Sequence, residues 1–246
     1  MTWPFFANQG TKYLILYAVA YLCGLLVLHK GVKVNYTRKI NHFFLFLLPV
    51  FLDRQLNYDK TALASLITSA FVVGSFALYI KPIRERIPFV GTMFSSFDRP
   101  EDRPHTLFWI TSQMVVSYLI IFGIIYAFNE QGIGGLVYIP LLINGIGDGL
   151  AEPVGVRFGK HKYQVRGFFT DRVFTRSLEG SACVFLTSVI VLLLFQAKFS
   201  QEQLIAALLI IPITMTLAEA WSPHTWDSPL LFLVGGLSTV SVFYFF

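Results

Sequence analysis

Leu178-Glu-Gly-Ser-Ala-Cys-Val-Phe-Leu-Thr-Ser-Val-Ile-Val-Leu-Leu-Leu-Phe-Gln-Ala197 carries one charged residue, Glu179, at its very start. A run of roughly 20 residues this apolar has the length of a bilayer crossing. Similar windows lie outward from it near Tyr13–Leu28, Ile40–Leu52, Thr61–Ile80, Leu107–Phe128, Ile133–Ile146, Leu204–Ala220 and Ser228–Phe246. They predict an all-α, polytopic integral membrane helix bundle of about eight transmembrane helices, in one domain covering residues 1–246. The second window is short and contains Pro49, which leaves a re-entrant path open. The fifth is short and glycine-rich.

Composition agrees. Of 246 residues, 55% are hydrophobic and 13% charged, against roughly 25% charged in soluble domains. The 25 Phe residues need a dry environment, and a bilayer supplies one. A soluble, disordered, collagenous or disulfide-stapled chain is excluded. Cys23 and Cys183 fall inside apolar runs and read as unpaired fillers. The net charge of +5 comes with no nucleic-acid-binding motif, so no nucleic-acid partner is expected. Met1–Lys12 lacks the basic start of a secretory signal, and no solenoid repeat is visible.

Charge sidedness tests the count. With eight crossings, the loops after the first, third and fifth spans carry fifteen Lys and Arg, within 30–39, 81–103 and 157–176. The other face carries Lys12, Arg54, Lys60 and Lys198. Removing the second span flattens this asymmetry. The positive-inside bias therefore favours eight spans, a cytoplasmic basic face and both termini outside.

The same face collects ten of the fourteen acidic residues: Glu85, Asp98, Glu101, Asp102, Asp148, Glu152, Asp171, Glu179, Glu219 and Asp227. It also collects His29, His42, His105, His161 and His224. Positive-inside bias does not predict acids and histidines there, so this face reads as a site. Its centre is Asn144-Gly-Ile-Gly-Asp148-Gly-Leu-Ala-Glu152-Pro-Val-Gly155-Val-Arg-Phe-Gly159-Lys160-His-Lys162. Asp148 closes an apolar span, where a lone carboxylate is costly. Glu152 follows four residues later, on the same helical face. Paired hard oxygen ligands suit Mg²⁺ completed by phosphate, although a solvated helix end would also explain them. Gly147 and Gly149 allow close backbone approach or positive φ.

Gly155-Val-Arg-Phe-Gly159-Lys160 is not a P-loop: three residues separate its glycines instead of four, and His161 follows the Lys. Close helix packing also accounts for those glycines. Thr175-Arg176-Ser177-Leu-Glu179-Gly180-Ser181 precedes the sixth span. Ser177 reads either as an N-cap or as part of an anion site with Arg176. Glu219 ends an apolar helix, so it either pairs with a basic residue of the long loop or helps bind a cation or substrate. His224 and Asp227 share its turn. Phe97–His105, proline-stiffened and alternating in sign, reads as a solvated loop with local ion pairs, or as a lid. Ile83–Phe97 has the makings of an interfacial segment.

These blocks resemble the CTP-dependent polyprenol kinase family, which includes phytol, dolichol and fungal diacylglycerol kinases. The resemblance rests on Gly147-Asp148-Gly149-Leu-Ala-Glu152-Pro-Val-Gly155, Phe158-Gly159-Lys160 and Arg176-Ser177-Leu-Glu179-Gly180-Ser181, in the family's order. Arg38-Lys39 with His42 and Glu219 with Asp227 resemble two further family elements. Arg176 stands where the family usually has Lys, and Ser228 where it has Asn.

The resemblance implies transfer of the CTP γ-phosphate to a long-chain lipid alcohol. Asp148 and Glu152 would hold Mg²⁺. Lys160, Lys162 and Arg176 would meet the phosphates of the nucleoside triphosphate, near Gly147, Gly149 and Gly159. Ser177, Glu179, Gly180 and Ser181 would form a helix-end phosphate cradle, and Glu219 or Asp227 would be the base. The catalytic loop would span about 147–181 at the cytoplasmic face, with the lipid bilayer presenting the acceptor. A cytidylyltransferase making a CDP-lipid and a transporter are the competing readings.

Overall fold

The computed structural model describes residues 2–58, 61–168 and 170–246. Lys60, assigned above to the less basic face, lies outside the described residues. About 80% of the chain is helical. Among the described residues, five helices are long and apolar enough to cross a membrane: Trp3–Lys30, Thr106–Glu130, Gly134–Phe158, Gln201–Trp221 and Asp227–Phe245. Leu63–Tyr79 and Leu178–Leu194 are apolar but shorter. The second window belongs to one continuous helix, Val34–Gln55, that runs through Pro49. Large apolar side chains such as Leu119, Leu194, Leu209 and Leu237 stay exposed on the protein, which suits lipid rather than water. The protein is a multi-pass helical membrane protein.

Two compact units divide the chain after Thr111. The first contains helices α1 (Trp3–Lys30), α2 (Val34–Gln55), α3 (Ala62–Ser75), α4 (Lys81–Arg86) and α5 (Pro88–Ser95). Pro4 opens α1, and Gly31 ends it with φ of 64°, a left-handed cap that glycine adopts without a Cβ clash. α1 packs on both α2 and α5. Gly24 sets the α1–α5 approach, because a Cβ there would lie 1.9 Å from the Thr92 carbonyl oxygen. Ala20, Tyr79, Val90, Met93, Phe94 and Phe97 form this unit's core.

Two polar clusters sit in that first unit. Lys12 Nζ lies 2.5 Å from Asp53 Oδ1, with the lysine buried. Asn8 donates to Asp53 at 3.1 Å and to the Leu56 carbonyl at 2.8 Å, serving the C-terminal end of α2. The 97–105 segment makes the expected local ion pairs, Arg99–Asp102 and Arg103–Asp98, each at 2.8 Å. Arg99 and Asp102 are buried, however, not solvated. Pairing within one turn offsets what burying either charge alone would cost.

Helix α6 (Thr106–Glu130) leads into the second unit. There, α7 (Tyr138–Leu142) continues through a π-helical turn, Ile143–Asp148, into α8 (Gly149–Phe158). The apolar pattern suggests an end near Ile146, but helical backbone carries on to Phe158. Most of the expected loop between 147 and 158 is therefore helix. An antiparallel hairpin follows, β1 (Lys162–Arg166) and β2 (Val173–Ser177), then α9 (Leu178–Leu194), α10 (Gln201–Trp221) and α11 (Asp227–Phe245). The hairpin is the one element that the all-α expectation omits. A Ser200–Gln203 capping box starts α10. Ile139, Ile143, Val184, Leu192, Ile211, Met215, Leu231 and Val242 are the buried heart of this unit.

Candidate functional site

The start of α9 is built by Ser177, whose Oγ accepts the Gly180 N–H at 3.2 Å. This is the N-cap reading realised. α8 packs directly against this cap. A Cβ on Gly159 would stand 2.8 Å from Ser177 Cβ and 2.3 Å from the Gly155 carbonyl oxygen. One on Gly180 would lie 2.7 Å from the Ala151 carbonyl oxygen, and one on Gly147 3.1 Å from Val184 Cα. Gly147, Gly155, Gly159 and Gly180 thus serve close approach, which brings Asp148 and Glu152 alongside α9. None of them uses positive φ.

Arg176, the penultimate residue of β2, points into the protein. Its Nη1 donates to Glu219 Oε1 at 3.1 Å, to the Glu219 backbone carbonyl, and to Ser222 Oγ at 3.0 Å. Of the two readings of Glu219, pairing with a basic loop residue is the one present. The other carboxylate oxygen, Oε2, accepts from Ser181 Oγ at 2.7 Å. Ser181 Oγ also meets the Tyr163 hydroxyl at 2.7 Å. An ionised carboxylate only accepts, so the Ser181 proton goes to Glu219 and Tyr163 donates to Ser181.

Electrostatics extend the cluster. Burial works against the Arg176 charge, but Asp227 and Glu219, with Tyr163 and Asp148 behind them, hold its guanidinium pKa above the ordinary value. Burial also pushes the Tyr163 phenol up, reinforced by the Glu219 charge and partly offset by its bond to Ser181 and by the charge and hydrogen bonding of Arg176. Asp148 is buried at the junction of the π turn and α8, and Glu152 is half-buried one turn on. Asn144 and Ser228 bond each other beside them, at 3.3 and 3.4 Å. Ser228 therefore makes a polar contact of its own next to Asp227.

The hairpin is fastened to the α10–α11 turn. His224 N–H donates to the Arg166 carbonyl at 2.9 Å, its ring stacks on Phe174 at 3.5 Å, and Trp226 stacks on Phe168 at 4.3 Å. Segments far apart in sequence, around 148, 176–181 and 219–227, thereby converge. Lys160 and Lys162 stand exposed at the foot of the hairpin. Glu179 turns outward to His161, whose ring nitrogen lies 2.8 Å from its carboxylate. Arg38, Lys39 and His42 belong to α2 in the first unit, where His42 stacks on Phe46 at 4.5 Å.

Tyr163 and Ser222 escaped the sequence reading. The signal for Tyr163 was present: Lys162-Tyr-Gln-Val-Arg166 alternates polar and apolar with the period of a strand. Ser222 carried none.

Among the described residues, no three His, Cys, Asp or Glu side chains converge in a manner that could hold a metal ion. Asp148 and Glu152 remain compatible with Mg²⁺, because that ion binds through one or two carboxylates and takes its other ligands from substrate phosphates and water. Together these features define a helical membrane protein with a buried, charged, hydrogen-bonded centre in its second unit. No protein-family model matches the chain, and no curated protein or solved structure does either.

Proposed function

We propose that the chain is a Mg²⁺-dependent lipid-alcohol kinase of the CTP-dependent polyprenol type. In this reading it crosses the membrane eight times, with the site at the cytoplasmic face. The observation that carries the proposal is the convergence of Asp148, Arg176, Ser181, Glu219 and Asp227 on one centre. Two of the three motifs that suggest the chemistry, the 147–155 and 176–181 blocks, meet there together with the Glu219 and Asp227 element. Phosphoryl transfer needs positioning and charge neutralisation more than covalent chemistry, and a fixed guanidinium among carboxylates supplies that kind of environment.

In this reading the roles divide as follows. The two N–H groups of Arg176 Nη1 are shared among three acceptors, so its charge is in place before substrate arrives. With Lys160 and Lys162 it binds the triphosphate, at the start of α9 where Ser177, Glu179, Gly180 and Ser181 shape the backbone. Asp148 and Glu152 would hold Mg²⁺, which would supply neutralisation of phosphate charge. Asp227, at the start of α11 and acting electrostatically on Arg176, takes the proton of the lipid hydroxyl, with Glu219 as the alternative base. The γ-phosphoryl group passes to that oxygen, leaving CDP and a lipid monophosphate. Supplying CTP labelled at the α or the γ phosphate, with phytol, farnesol, dolichol or diacylglycerol, tests the reading. The γ label enters the lipid if it is right; the α label in the lipid indicates a cytidylyltransferase.

A further inference from the structure

Tyr163 lies directly across the hairpin from Arg176, as its register partner. Two paths then join the same strand pair to Glu219: Arg176 reaches Oε1, and Tyr163 reaches Oε2 through Ser181. The three residues of the second path come from β1, α9 and α10. We propose that Tyr163 is a positioning residue, which through Ser181 fixes the Glu219 carboxylate and so orients the Arg176 guanidinium in the site.

The chemistry is directional. Glu219 could rotate about its side-chain bonds if Arg176 alone held it, since one bond to one oxygen leaves the carboxylate plane free. A second donor on the opposite oxygen removes that freedom. Ser181 has one hydroxyl proton, and Tyr163 donates into the serine oxygen, so that proton stays aimed at Glu219. A phenylalanine at 163 keeps the ring and its packing but frees Ser181 to turn toward the Ser177 carbonyl, 3.4 Å away. Carboxylate and guanidinium then lose their fixed orientation together.

As a claim about catalysis, this inference rests on the kinase reading; as a claim about structure, it does not. Two measurements keep the two apart. In the first, wild type, Tyr163→Phe, Glu219→Gln and the double variant are purified in nanodiscs and melted. Coupling through Ser181 predicts that the double variant's shift in Tm is smaller than the sum of the single shifts. In a Ser181→Ala background, Tyr163→Phe then adds a smaller shift than in wild type, the remainder coming from its direct interaction with Arg176. Additive shifts in the first cycle, or an undiminished Tyr163→Phe shift in Ser181→Ala, would overturn the proposal. Should Glu219→Gln fail to fold, the Ser181→Ala comparison decides alone.

The second measurement is the kinase assay. Tyr163→Phe raises the nucleotide KM about fivefold, as expected for one lost hydrogen bond of about 1 kcal/mol, and changes kcat less than about twofold. A fall in kcat with unchanged KM contradicts positioning of Arg176. If wild type transfers no phosphate from any nucleotide, the kinase reading fails, and the melting cycles still decide the role of Tyr163.

Discussion

Arg176 and Glu219 are joined at two points, side chain to carboxylate and side chain to backbone carbonyl, across 43 residues of sequence. The ion pair is nearly buried, with 13% and 6% of the two side chains exposed. It is the bolt between the hairpin and the end of α10. Breaking such a pair from one side strands a charge, which costs about 3–5 kcal/mol, whereas replacing both partners with apolar groups costs far less. Glu219→Ala and Arg176→Ala are therefore each expected to lower thermal stability strongly. An Arg176→Met/Glu219→Leu double variant should melt closer to wild type than either single variant. Melting of all four proteins in one lipid composition checks this.

At the start of α9, Ser177→Ala removes the hydroxyl that accepts the Gly180 N–H. The expected loss is about 1 kcal/mol, the usual value of an N-cap. Gly159→Ala is expected to cost more, because its Cβ would meet the Gly155 carbonyl oxygen at 2.3 Å and backbone has nowhere cheap to move. Ranking the two variants by chemical denaturation tests the order.

The alkaline limb of stability has a defined sign. Tyr163 has its pKa raised from 10.0 by burial and by the Glu219 charge. The folded state therefore holds that proton more tightly than the unfolded chain does. Stability from this source is fully present below about pH 10, the unfolded value, and is lost as pH rises toward the folded value. Tyr163→Phe should flatten the fall in Tm above pH 10 relative to wild type. An unchanged alkaline slope in the variant would refute the assignment.

In the first unit, Lys12 and Asp53 form the tight pair at the end of α2, supported by Asn8. Lys12→Met leaves Asp53 without that counter-charge, and Asp53→Asn does the same to Lys12. Each is expected to destabilise the α1–α2 packing by about 3 kcal/mol or more. Protease accessibility of the C-terminal end of α2, residues 52–58, in intact vesicles is the measurement, with faster cutting expected in both variants.

Much of this was readable in the chain, for reasons visible in particular residues. The apolar windows announced a multi-pass membrane protein, because a bilayer crossing needs length and apolarity and nothing else. Ser177 was legible as a cap, one of the two uses that a serine before an apolar run suggests beside Arg176. Glu219 was marked by the cost of its position, and a basic loop residue was named as one solution. Less was readable where tertiary contacts decide. Asp148 was expected at a span end, yet helix continues to Phe158 because α8 finds α9 to pack on. The hairpin was missed because its charged outward residues resemble a loop. Only the alternation of Tyr163 and Val165 against Lys162, Gln164 and Arg166 betrays a strand. Arg99 and Asp102 read as a solvated ion pair; their burial comes from tertiary packing that the local sequence does not carry.

Kinase chemistry is decided most directly by the fate of the γ-phosphate. Purified protein in nanodiscs, given Mg²⁺, γ-labelled CTP and a panel of long-chain alcohols, should yield a labelled lipid monophosphate. An Asp227→Asn protein that folds normally should lose at least about 100-fold in rate, the scale of a removed general base. Label that stays in the water-soluble phase for every alcohol, or a lipid that carries the α rather than the γ phosphate, would contradict it.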